Sequence, residues 1–210
     1  MLKELLYATN NPGKIVEVTK LLTHSGIGVV SPGALGISLD VPETGASLEE
    51  NATMKAKAYQ QISGGRIVLA DDTGLEIDAL NGEPGIHVRR WKDGRTRLTD
   101  EEVIQYCLEK MKSITQEQRG AQFRTVLALG LPTGGVEIFD GVLRGIILEQ
   151  PAMLRVEGFP FESLFLVPGW GLLLGEQHQL GADEKRDRLN HREKALEKAI
   201  PRIKKLLATY

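Results

Sequence analysis

Several classes of protein are excluded by what this chain of 210 residues has little of. It carries one cysteine, Cys107, so neither an intramolecular disulfide nor a metal cage built from cysteines alone is available. It carries almost no net charge: 26 basic and 28 acidic residues leave a balance of -2. No global basic field points to duplex nucleic acid or an acidic membrane surface as the main partner. No apolar run approaches the length of a membrane span. The first residues, Met1-Leu2-Lys3-Glu4-Leu5, lack a signal peptide's basic region followed by an apolar core, which makes the cytoplasm the expected compartment. Two nucleotide-binding fingerprints are missing as well, the G-x-x-x-x-G-K-[ST] phosphate loop and the G-x-G-x-x-G dinucleotide turn. What is present is ordinary for a folded domain, with 41% hydrophobic and 26% charged residues, so a sizeable core is expected.

The stretch around which the chain organises itself is Ile67-Val68-Leu69-Ala70-Asp71-Asp72-Thr73-Gly74. Four apolar residues run into two adjacent carboxylates, a hydroxyl and a glycine, which predicts a buried strand with the carboxylates at its carboxyl end. Open α/β sheets place their ligand crevices at that end. Consecutive strand residues point to opposite faces, so one aspartate can face a ligand while its neighbour supports it from behind. The competing reading is a strand that ends in a solvated Asp-Asp turn.

Ahead of it, residues 5–8 predict a short strand, followed by Thr9-Asn10-Asn11-Pro12-Gly13-Lys14 and a helix whose apolar positions are Ile15, Val18, Leu21 and Leu22. Asn11 suits the N-cap and Pro12 the first helical position. Lys14 in the first turn opposes the helix dipole unless an anion sits there. Backbone N–H groups, amide side chains and this lysine make a plausible phosphate cradle, or simply a capped helix with a solvated lysine. Ser47 and Glu50 form a capping-box pair, placing a second helix start at Leu48. Glu43 precedes that helix and Lys55 lies along it.

Beyond the aspartates, Leu75, Ile77 and Ala79 alternate with Glu76 and Asp78 as in a half-buried strand. A turn at 81–85 follows, then Arg89 and Arg90, which suit either phosphate binding or a stack on Trp91. Thr99 and Glu102 cap a third helix carrying Val103, Ile104, Cys107, Leu108 and Met111, so the thiol is expected to be buried. Residues 123–129 alternate as a strand. Residues 136–139 and 142–148, parted by Asp140-Gly141, resemble a hairpin. Residues 158–165 form an aromatic loop with Phe159, Phe161 and Glu162, able to stack on a base or to plug a core edge. A charged run at 184–192 enters a last helix in which Pro201 marks a kink or restart.

Taken in order, these segments resemble the inosine triphosphate/xanthosine triphosphate pyrophosphatase family, the Ham1 or RdgB family. The pieces are A-T-N-N-P-G-K at 8–14, E-T-G-A-S-L-E-E-N-A at 43–52 with Lys55, and A-D-D-T-G-L-E-I-D-A-L at 70–80. N-G-E-P-G-I-H-V-R-R-W at 81–91, F-R-T at 123–125 and N-H-R at 190–192 complete them. The resemblance implies an α/β fold with a mixed central sheet flanked by helices, and two lobes with an active-site cleft between them, in a single domain over residues 1–210. It implies magnesium-dependent hydrolysis of ITP, dITP or XTP to the monophosphate and pyrophosphate, and a homodimer. Thr9, Asn10, Asn11 and Lys14 would hold the triphosphate, with Lys14 and Lys55 neutralising phosphate charge. Glu43, Asp72 and Asp71 would face the metal, and Asp72 would also be the base. Thr73 would position the nucleotide. Phe159, Phe161, Glu162, Arg186, His191 and Arg192 would form the base pocket, His191 and Arg192 reading the six-position oxygen.

This chain departs from the family pattern where members read G-F-G-Y-D-P-L-F: it has G-F-P-F-E-S-L-F at 158–165. The family's base-side lysine falls on Arg186, with Lys185 one residue further from the His-Arg pair, and N-H-R replaces S-H-R. The alternatives are a Maf-like pyrophosphatase acting on pyrimidine or modified nucleotides, and a nucleotide-binding protein without turnover.

Overall fold

The structure, a computed structural model, describes residues 4–185 and 187–209. Its eight strands form a mixed sheet in the order β2-β1-β3-β5-β6-β7-β8, with β4 beside β3. They are β1 (Glu4–Tyr7), β2 (Gly28–Val30), β3 (Val68–Ile77), β4 (Pro84–Gly85), β5 (Gly120–Gly130), β6 (Val136–Ile147), β7 (Phe165–Val167) and β8 (Leu172–Leu173). β1 pairs in parallel with β2 and β3, whereas β4 on β3, β7 on β6 and β8 on β7 are antiparallel. The helices are α1 (Pro12–His24), α2 (Leu48–Gln60), α3 (Asp100–Lys110), α4 (Leu174–Gln177), α5 (Ala182–Lys185) and α6 (His191–Thr209). Among the described residues no helix is long and apolar enough to cross a membrane.

The chain divides into two compact units. The first takes the described residues up to Thr73, 125–141 and those from His191 onward. Its core gathers Leu5 and Tyr7 of β1, Val18 and Leu22 of α1, Leu69 of β3, Leu127 and Leu129 of β5, and Ala195, Leu196, Ala199 and Ile203 of α6. Each fully buried leucine or isoleucine contributes about 1.5–3 kcal/mol relative to exposure. The second unit takes 74–124 and 142–190. Its core gathers Leu75 and Ile77, the α3 face of Val103, Ile104 and Cys107, and the rings of Trp91, Phe123, Phe161 and Phe165.

The caps fall where local chemistry puts them. Asn11 accepts from the N–H groups of Gly13 and Lys14 at the start of α1. Thr99 and Glu102 make the full reciprocal box on α3. On α2 the box is shifted: Ser47 accepts from the Glu50 N–H, but the Glu50 carboxylate takes the N–H of Ala46 rather than that of Ser47. α6 continues through Pro201.

Two expected breaks are absent. β3 runs unbroken from Val68 to Ile77, so Asp71 and Asp72 stand within a strand and do not end it. Their carboxylates are engaged mainly by side chains far along the chain, Tyr7, Lys14 and Arg192 on Asp71 and Lys55 on Asp72. Ala79 lies beyond the strand in a 3-10 turn, Asp78–Leu80. β6 likewise passes straight through Asp140-Gly141. Gly141 serves close approach, because a Cβ there would collide with the His191 carbonyl and the Ala195 N–H of α6. The turn in this region lies earlier, where Leu131 N–H bonds Gly135 O and Gly134 takes φ 95°, joining the sheet neighbours β5 and β6.

Candidate active site

Because side chains alternate along β3, the two aspartates are served by different elements of the first unit. Asp71 is almost wholly buried. Tyr7 of β1 donates its hydroxyl to Oδ1 at 2.8 Å. Lys14 of α1 reaches Oδ2 at 2.8 Å and Arg192 Nε of α6 reaches the same oxygen at 3.3 Å. Burial works against this carboxylate's charge, yet Lys14, Arg192 and Lys55 outweigh it and hold the acid far below the usual range. Burial also lowers the Lys14 ammonium from its ordinary value, against the pull of Asp71. Arg192 is itself buried and bonds Glu17 at 2.5 Å and the Thr73 hydroxyl at 3.2 Å.

Asp72 faces α2. Lys55 Nζ lies 3.1 Å from its Oδ1, 2.9 Å from Glu43 Oε1 and 2.6 Å from the Asp71 carbonyl. Asn51, one turn before Lys55, donates to Asp72 Oδ2 at 3.1 Å and accepts the Gly45 N–H at 2.8 Å. It thereby ties the segment carrying Glu43 to the strand. Gly45 is required there, since a Cβ would stand 2.7 Å from Asn51 Oδ1. Burial raises the Asp72 carboxyl above its ordinary value, and neighbouring Glu43 adds to that, against Lys55 and Lys14. Lys55 is raised: burial opposes its charge, and Asp72, Asp71 and Glu43 overcome it. Neighbouring aspartates are thus driven in opposite directions.

A relay of hydroxyls completes this unit. Thr73 Oγ1 lies 2.8 Å from Thr125 Oγ1, and Thr125 lies 2.6 Å from His191 Nδ1. In the first loop Thr9 Oγ1 accepts the Asn11 N–H at 3.2 Å, and exposed Asn10 reaches the Leu39 carbonyl at 3.4 Å.

Of the expected site residues, the first unit brings Thr9, Asn10, Asn11, Lys14, Glu43, Lys55, Asp71, Asp72, Thr73, His191 and Arg192 into one unit. Arg192, expected to read a base, bonds Asp71, Glu17 and Thr73. In the second unit Phe161 is a core residue, packed against Trp91 and Phe123. Phe159 stacks on His178 with ring centroids 6.0 Å apart, and His178 Nε2 meets buried Glu162 at 2.7 Å. Lys185 reaches Gln177 at 3.4 Å. Arg186 lies outside the described residues. Arg89 pairs with Asp100 at 2.5 Å, and Lys110 Nζ stands 5.9 Å from the centre of the Trp91 ring.

A divalent cation fits the Asp72 side of this centre. Two carboxylates and a carbonyl already converge on one ammonium, an all-oxygen donor set of the kind magnesium takes. Among the described residues no group of three or more His, Cys, Asp or Glu side chains is placed to hold a metal. An ion there would complete its shell with water and substrate oxygens, as magnesium commonly does. The Asp71 carboxylate suits this less well, since Tyr7, Lys14 and Arg192 already take its oxygens.

Four contributors were not singled out from sequence. Glu17 stands three residues after Lys14 and Asn51 four before Lys55, spacings that share a helix face and were available as signals. Tyr7 carries a hydroxyl inside an apolar strand, which demands a buried partner. Thr125 gave no comparable signal.

Fold and site together define a mixed α/β protein with an oxygen-rich centre of buried carboxylates and cations. The chain belongs to the Ham1 family, whose model matches residues 5–202. It is 37% identical over 199 residues to the dITP/XTP pyrophosphatase of Bacillus subtilis, covering 94% of this chain and 96% of that one. It is 40% identical over 194 residues to the dITP/XTP pyrophosphatase of Thermus thermophilus, covering 92% and 88%. A solved Ham1 protein from Coxiella burnetii superposes with a TM-score of 0.77 at 32% identity, covering 98% of this chain and 100% of that one.

Proposed function

We propose that this chain is a nucleoside triphosphate pyrophosphatase that converts ITP, dITP and XTP to the monophosphate and pyrophosphate. The observation that carries the reading is the convergence of Glu43, Asp72 and the Asp71 carbonyl on Lys55, one strand position from an Asp71 that holds Lys14. Family membership and the names of the relatives support the substrate class.

In this reading Lys14, with Thr9, Asn10 and Asn11 around it, receives the phosphate chain. Water attacks the α-phosphorus, its proton passes to an Asp72 carboxylate oxygen, and the bond from that phosphorus to the bridging oxygen breaks. Pyrophosphate leaves with Lys14 and Lys55 neutralising its charge as point cations. Magnesium, when held by Glu43 and Asp72, supplies further neutralisation of the phosphate oxygens. Asp71 is assigned as the anchor of Lys14 and Arg192, not as a metal ligand. His191 and Arg192 are assigned to base choice: fixed donors pair with a keto oxygen and reject an amino group.

The test is pyrophosphate release with magnesium from ITP, dITP, XTP, GTP, ATP, CTP and UTP, with Asp72→Asn as control. Release from ITP, dITP and XTP, lost in the variant, is the expected result. Release confined to pyrimidine nucleotides would overturn the substrate class, and binding without release would overturn the enzymatic reading.

A further inference from the structure

Tyr7 has no part in the chemistry outlined above, yet its position is unusual for a strand residue. Its neighbours Leu5 and Leu6 are wholly buried hydrocarbon, and Tyr7 is equally buried, within the core that holds Val18, Leu22 and Leu69. A leucine would fill such a place without any polar atom to satisfy. The ring instead carries its hydroxyl to Asp71 Oδ1 at 2.8 Å. Burial, followed by Asp71, pushes the phenol well above its ordinary value, so it remains a donor.

The consequence lies in how the two carboxylate oxygens are divided. Tyr7 occupies Oδ1, while Lys14, Arg192 and, at 3.4 Å, the Thr73 hydroxyl share Oδ2. A carboxylate held by one oxygen only can swing about its Cα–Cβ and Cβ–Cγ bonds. Held at both ends, and on a strand rather than a loop, it fixes where the Lys14 ammonium sits. An ammonium has three donors, so Lys14 can keep its bond to Asp71 while it meets a phosphate oxygen.

We propose that Tyr7 is a positioning residue: its hydroxyl sets the Asp71 carboxylate and, through it, the Lys14 ammonium that receives the phosphate chain. This rests on the assignment of Lys14 to phosphate given above. Tyr7→Phe keeps the ring and removes only the donor, so the core remains filled.

The experiment measures calorimetric affinity for inorganic pyrophosphate, and KM and kcat for ITP, in four proteins: wild type, Tyr7→Phe, Lys14→Met and the double variant. Loss of a hydrogen bond to a charged group predicts pyrophosphate affinity weaker by about tenfold in Tyr7→Phe. KM for ITP should rise by a similar factor, with kcat within about twofold. In the Lys14→Met background the second substitution should add almost nothing, because the ammonium through which Tyr7 acts is gone. Unchanged affinity and KM in Tyr7→Phe would overturn the proposal. So would an equal loss in both backgrounds, which is what a merely structural tyrosine gives. If Tyr7→Phe fails to fold, Tyr7→Leu, which likewise removes the donor and suits a strand whose neighbours Leu5 and Leu6 are buried hydrocarbon, takes its place in the same cycle with Lys14→Met, and unchanged affinity or an equal loss in both backgrounds again overturns the proposal. A wild type that neither binds pyrophosphate nor hydrolyses ITP refutes the functional reading itself, a result distinct from any difference between the variants.

Discussion

Replacing each aspartate of the pair by asparagine should have opposite consequences, and the structure gives both signs. Asp71→Asn leaves Tyr7, Lys14 and Arg192 around a neutral amide. Its one oxygen serves one side, and its NH₂ must face donors on the other. Two buried cations lose a shared counter-charge, a loss typically of about 3–5 kcal/mol when one partner of a buried pair is removed. At about 2–4 °C per kcal/mol for a domain of this size, melting should fall by about 6–20 °C. Asp72→Asn is different. The fold already disfavours the charged form of Asp72, so neutralising it relieves a burial cost. It weakens contacts with Lys55 and Asn51, about 1 kcal/mol of hydrogen bonding in the other direction. Melting should therefore stay within about 3 °C of wild type. Turnover should drop by about 10²–10⁴-fold, the usual contribution of a general base.

Linkage gives the same signs. The folded pKa of Asp71 lies below its unfolded value, so its stabilisation is present above the unfolded pKa and is lost only as pH falls through the folded one. The folded pKa of Asp72 is raised, so this group favours the folded state when protonated and costs stability once pH exceeds the folded value. Differential scanning calorimetry at neutral pH and at pH 5, with pyrophosphate release assayed in parallel, reads both effects. An Asp71→Asn protein that melts with wild type, or an Asp72→Asn protein as unstable as Asp71→Asn, would refute this division.

Cys107 is wholly buried and burial pushes its thiol up to about 12. At pH 8 about one thiol in 10⁴ is ionised, against about one in four for an ordinary cysteine, so iodoacetamide should label it only after unfolding. Labelling of native protein at the rate of a free thiol would contradict that placement. Gly141→Ala should destabilise by about 1–3 kcal/mol through collision with the first turn of α6, read as a lower denaturant midpoint. An unchanged midpoint would mean that strand and helix separate more easily than their packing indicates.

Much of this architecture is local and therefore legible in the sequence. Asn11-Pro12 and Thr99 with Glu102 announce helix starts through side-chain-to-backbone bonds only two or three residues long. Apolar spacing on α3 marks Cys107 as buried, and alternation along β3 gives its aspartates different faces. The failures share one cause. Asp71-Asp72-Thr73-Gly74 and Asp140-Gly141 both spell turns, yet each stays extended because residues far along the chain claim it: Tyr7, Lys14, Lys55 and Arg192 in one case, the α6 backbone in the other. Turn preference is a bias of a few neighbouring residues, and the contacts made by residues far along the chain override it here. The partners of Arg192 were hidden for the same reason. Nothing near residue 192 reveals that Glu17 lies across from it, 175 positions earlier.

Hydrolysis of ITP in water enriched in ¹⁸O tests the central claim most directly, with products resolved by phosphorus NMR. Attack at the α-phosphorus by a water that gives its proton to Asp72 places the label in the monophosphate and leaves the pyrophosphate unlabelled. Label found in pyrophosphate, or in inorganic phosphate released beside a diphosphate, would show attack at another phosphorus and contradict the account.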